Sequence, residues 1–206
     1  MGVSVLYNAI PCSSTLYARL QREKPLAILM VSLFPYGCGI FRFFEIEPEE
    51  VNEILEEVIE AHPDTFSDLE AEQIIAEFRS ELRRTHEAYP GIEGRSASLE
   101  KSSTEIEERL TQELLRRQIE NANEIVEKLI CGDQVFAQNL LPEAESLGLI
   151  SRELVIEGAR ILRQIDPEEL FNDEGEDRWC IDEFSQWRDL YLSADEKKEE
   201  ILVGVF

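Results

Sequence analysis

Val3, Val5 and Tyr7 alternate with small or polar residues, and this period of two predicts a strand over residues 2–9. Ser13 or Ser14 is placed to cap a short helix that runs to about Glu23 and stops before Pro25. Residues 26–34 are apolar on every side, as in a buried helix or a buried strand; their Ala, Leu and Met favour helix. Pro35 to Gly39 predicts a turn. Ile40 to Ile46, rich in Phe and Ile, predicts a second strand.

From Pro48 onward the apolar spacing changes to three and four. Pro48 suits the first turn of a helix with Val51, Ile54, Leu55, Val58 and Ile59 on one face. Ser67-Asp68-Leu69-Glu70 has the form of a capping box, in which hydroxyl and carboxylate each accept the other residue's amide. The helix it opens reaches about Ala88, with Leu69, Ile74, Ile75, Phe78 and Leu82 as its stripe. Tyr89 to Lys101, holding Pro90, Gly91 and Gly94, predicts a loop. Ser102 to Glu105 is the next capping signal. It predicts one helix of roughly 26 residues ending at Gly132 as a left-handed cap.

A shorter helix is expected over Gln134 to Leu140, with a turn at Pro142. Ser151 opens a further helix whose face is Leu154, Val155, Ile161, Leu162 and Ile165. Asn172 to Arg178 is an acidic loop. The last helix covers Cys180 to about Lys198 with Ile181, Phe184, Trp187, Leu190 and Tyr191 inward. The charge run Asp195 to Glu200 predicts a solvated turn before an apolar strand, Ile201 to Phe206. Short apolar strands at both ends need partners for their backbone groups. The expectation is an α+β fold, mostly helical, whose small sheet joins the N-terminal strand, 40–46 and the C-terminal strand. Residues 1–206 are expected to form one domain with a helical insertion at about 48–130.

Charge changes this picture by excluding partners. The chain has 206 residues, with 20 Lys and Arg against 44 Asp and Glu, a net charge of −24. Residues 1–44 hold four basic residues and one acid, so the excess lies wholly in the helical remainder. Such a surface repels nucleic-acid phosphates and anionic membranes. The apolar uncharged stretch Pro25 to Phe41 is broken by Pro35, Gly37 and Gly39 and is shorter than the ~20 residues a bilayer needs. The N-terminus lacks the basic start and apolar run of a secretory signal, since Arg19 is the first basic residue. Cys12, Cys38, Cys131 and Cys180 are scattered and form no CxxC pair. They predict free thiols in a reducing cytoplasm.

Catalytic and metal motifs fail one by one. Three residues before His62 and His86 stand Ile59 and Arg83, so the Glu-x-x-His pairing of a di-iron bundle is absent, and so is HExxH. Gly175 does not take the sixth position of an EF-hand, because Leu170 would then be the first ligand. Neither a Gly-x-Ser-x-Gly elbow nor a phosphate-binding glycine loop occurs. No metal and no cofactor is expected. Cys38, between two glycines and close to Arg42, is the thiol whose surroundings best suit a lowered pKa. With Tyr7 it makes a candidate pocket: Tyr7, Cys38 and Arg42.

The two ends resemble the YfbM-like family of small uncharacterised bacterial proteins. Met1-Gly2-Val3-Ser4-Val5-Leu6-Tyr7 is similar to that family's opening strand with an aromatic residue. The family's late helices and closing strand look like Ser151 to Phe171, Asp182 to Tyr191 and Ile201 to Phe206. Residues 48–130 have no counterpart in it. The resemblance implies an α+β fold and carries no catalytic residue. The expected function is a non-enzymatic binding or interaction protein, its acidic surface meeting a basic protein partner or a second copy. The alternative is a small-molecule enzyme with its site near Tyr7, Cys38 and Arg42.

Overall fold

The computed structural model describes residues 4–12, 15–20, 22–32, 48–66, 71–100, 102–141, 144–171 and 178–205. Strands from the two ends of the chain lie side by side. β1 (Val5–Pro11) pairs antiparallel with β5 (Glu199–Val205), from Val5 opposite Val205 to Pro11 opposite Glu199. β2 (Ser96–Leu99) lies outside β1, β4 (Ala144–Ile150) lies outside β5, and β3 (Gln134–Leu141) lies beyond β4. All pairings are antiparallel, in the order β2-β1-β5-β4-β3.

Strand alternation sorts the core into two halves. Val5, Tyr7 and Ala9 face one side with Ile201, Val203 and Val205, while Ile10 and Leu202 face the other. The first face is covered by α6 (Ser103–Arg116), α7 (Ala122–Cys131), α8 (Arg152–Leu162), α9 (Pro167–Phe171) and α10 (Arg178–Lys197). The second is covered by α1 (Thr15–Leu20), α2 (Lys24–Ser32), α3 (Pro48–Ala61), α4 (Pro63–Phe66) and α5 (Ala71–Ala88). The fold is α+β and mostly helical, a sheet between two helical layers. Among the described residues, no helix is long and apolar enough to cross a membrane.

The predicted stripes of α3 and α8 are the buried ones, and residues 24–32 are helix rather than strand. Ser151 caps α8 by accepting the Leu154 amide at 3.4 Å. Predicted strand 40–46, the turn at 35–39 and the capping box at 67–70 lie outside the described residues.

Six expectations are corrected. Residues 134–140 form strand β3, not a helix, and the segment after Pro142 is β4. Each satisfies its backbone on the other, a gain that local propensity does not register. The expected loop at 89–101 contains β2, paired with β1. The long helix over 103–131 is two helices. Gln118 (φ 60°) and Asn121 (φ 57°) turn the chain through the left-handed region between α6 and α7. Ser102 stands before α6 without capping it through its side chain; its hydroxyl donates to Glu183 of α10 instead. Gly132 does end α7, but at φ 88° and ψ 163°, a region kept for glycine rather than the left-handed cap. A Cβ there would lie 2.7 Å from the Leu149 carbonyl oxygen.

The charge run is not a solvated turn either. α10 continues through Lys197, and Glu199 and Glu200 are buried at the start of β5. Arg95 pairs with Glu199, the Arg152 amide donates to Glu200 at 3.1 Å, and the Arg152 guanidinium holds Asp195 at 2.7 Å.

Candidate functional site

Tyr7, one of the three residues singled out in the sequence, is fully buried beneath α7 and α10. Its hydroxyl donates to the Ile130 carbonyl at 2.9 Å, and Tyr191 donates to the Leu129 carbonyl at 2.6 Å. These carbonyls belong to the last turn of α7, where no backbone amide remains to serve them. Burial pushes both phenols well above their ordinary value, and each lies near the other or near Cys131. The two tyrosines therefore stay protonated and act as donors that close a helix end. Cys38 and Arg42 lie outside the described residues. Trp187 and Tyr191 are core, packed edge to face with centroids 5.1 Å apart, whereas Trp179 is exposed.

Burial and the Glu200 carboxylate push the Cys12 thiol up, opposite to the direction a nucleophilic cysteine needs. No group of three or more His, Cys, Asp or Glu side chains is arranged to hold a metal ion among the described residues.

A depression of about 730 Å³ runs between β2 and α10. One wall is the strand and its approach: Gly91, Gly94, Arg95, Ser96, Ala97 and Ser98. The other wall is one face of α10, where Gln186, Asp189, Leu190, Ser193 and Lys197 recur at helical spacing. β2 is an edge strand in the described sheet. The Ala9 amide donates to the Arg95 carbonyl at 3.0 Å, which fixes the phase of the ladder. Residues 95, 97 and 99 turn their amides and carbonyls toward β1. Ser96 and Ser98, opposite Asn8 and Leu6, turn theirs outward. Among the described residues, nothing pairs with Ser96 or Ser98 on that side.

The groove has a polarity. Glu183, near the start of α10, accepts from the Glu100 amide at 3.1 Å and from Ser102, beyond the end of β2. α10 therefore runs against β2 and brings Lys197 to the Arg95 end. There Arg95 is neutralised by Glu199, while Lys197 has no ion-pair partner among the described residues. A smaller depression of about 410 Å³ between α1 and α5 is also rich in charge, but two of its three cations are engaged. Arg19 contacts Glu23, Glu77 and the buried Glu81, and Arg84 contacts Glu81 as well. The Arg19 guanidinium holds the Glu23 carboxyl below its ordinary value.

Sequence reasoning placed this stretch of β2 in a loop and missed the groove. The available signals were the small residues from Gly91 to Ser98 and the polar positions 186, 189, 193 and 197 on one face of the last helix. No protein-family model matches the chain, and no curated protein or solved structure matches it either.

Proposed function

We propose that the protein is a non-enzymatic binding protein that accepts an extended segment of a partner as an added strand along the outer edge of β2. The observation that carries this reading is the outward pair Ser96 and Ser98, facing a groove whose far wall is a helix. An edge strand beside a helix supplies backbone hydrogen bonds for affinity and a side-chain wall for selection. The partner is a basic protein. Exposed Glu53, Glu56, Glu57 and Glu60 on α3, with Glu107, Glu108, Glu124 and Glu127 on α6 and α7, give the surface a field that draws positive charge toward it.

Display of random octapeptides against the purified protein tests the reading. Ser98→Pro removes an outward amide without touching the β1 ladder, so the fold survives as it does for prolines on other edge strands. Gly94→Tyr places a ring where an added Cβ meets no heavy atom within 4 Å. The expected result is a set of peptides that bind the natural protein and Ser98→Ala but lose at least tenfold in affinity to Ser98→Pro and Gly94→Tyr. The reading falls if no peptide is enriched, or if those enriched bind all four proteins alike. Pairing of two copies through β2 would appear as a dimer in light scattering that Ser98→Pro dissolves, and would replace the partner protein with a second copy.

A further inference from the structure

The inference rests on the strand-addition reading and concerns what the added strand must carry. The groove offers its two ends different chemistry. The Gln186 end is lined by Ser98, a carboxamide and, one turn along the helix, the Asp189 carboxylate. At the other end stand Arg95 and Lys197. The Arg95 charge is already answered by buried Glu199, so its guanidinium is a fixed neutral pair. Lys197 is exposed and unanswered among the described residues. Asp189 lies just over two turns, about 12 Å, back along the same helix face, within 3.7 Å of Arg188. The small side chains of Gly91, Gly94, Ser96, Ala97 and Ser98 leave the strand side of the groove open, so a bound segment lies close to the backbone there.

We infer that the partner segment carries an acidic side chain at the end that lies over Arg95 and Lys197, with small side chains facing the centre of the groove beside Leu190. The requirement is local and independent of the partner's overall charge. A basic protein is drawn in by the acidic exterior, and its docking segment is held in register by one carboxylate at the Lys197 ammonium. In extended chains alternate side chains share a face, so the acid and the small central residue stand two positions apart.

The test is a second display library of octapeptides, acetylated and amidated at their ends and restricted to Ala, Ser, Thr, Val, Gln, Glu, Lys and Arg. Blocked ends leave the side chain as the only source of a carboxylate. On the natural protein, Glu is expected to outnumber Gln about threefold at one terminal position, the size of one exposed ion pair. Small residues are expected two positions inward. On Lys197→Glu the same position is expected to turn to Lys or Arg. If peptides are enriched and depend on Ser98 but show no charge preference that Lys197→Glu reverses, the acidic anchor is overturned while strand addition stands. If none is enriched, or binding ignores Ser98→Pro, strand addition itself is overturned and the anchor with it.

Discussion

On one face of the sheet, α6 to α10 close around Tyr7, Phe171, Phe184, Trp187 and Tyr191; on the other, α1 to α5 close around aliphatic side chains with Phe66 and Phe78. The aromatic layer is fixed by geometry as well as by burial. Rings meet at 5.1–6.1 Å, two hydroxyls close the end of α7, and Gly158 lets α8 approach α7 and α10. A Cβ at Gly158 would stand 2.6 Å from Leu129 Cδ2 and 2.7 Å from Tyr191 Cε1. Among the described residues, the aliphatic layer shows no comparable set of ring contacts in its interior, and charged groups gather at the α1–α5 rim around Glu81. Apolar burial stabilises both, but only directional contacts and rigid rings make one layer intolerant of small changes.

Trp187→Ala tests the contrast most severely. It should cost about 3–5 kcal/mol in urea unfolding, because the ring is fully buried among three others. Gly158→Ala should cost about 2–3 kcal/mol, since Tyr191 is a rigid neighbour that cannot yield as Leu129 can. Tyr191→Phe leaves the Leu129 carbonyl without its donor and should cost about 1–2 kcal/mol. In the other layer, Leu55→Met at an equally buried site should cost about 1 kcal/mol or less. The contrast breaks if Leu55→Met proves as damaging as Gly158→Ala.

The smallest effect sharpens the role of surface charge. Arg116, with Arg117 beside it, holds Glu113 down to about 2. The carboxylate is favoured in the folded state, so its contribution is present above the ordinary carboxylate pKa and is lost as pH falls through about 2. Because Arg116 is largely exposed, solvent screening reduces that contribution, and Glu113→Gln should cost about 0.5–1 kcal/mol at pH 7. The difference should vanish near pH 2, as read from unfolding curves at both values.

The stripe on α3 and the alternation in β1 were readable because each is a periodic signal contained in one segment. β3 and β4 were not, because Gln134 to Leu141 becomes a strand only when Ala144 to Ile150 lies beside it. The break between α6 and α7 left one trace in the sequence, Asn121, a residue type that tolerates the left-handed region. Of the pocket read as Tyr7, Cys38 and Arg42, Tyr7 is a core donor. The groove is assembled instead from Arg95 to Ser98 and a helix face about ninety residues away.

By itself the sequence determined which segments are amphipathic, that strands stand at both ends, and that negative charge covers the helical remainder. Those properties follow from local spacing and from counting. Tertiary structure alone decided the register in which the two end strands pair, that Glu199 and Glu200 are buried rather than solvated, and that the outer edge of β2 faces α10. Each depends on backbone groups finding partners far along the chain, and no local pattern carries the identity of a distant partner.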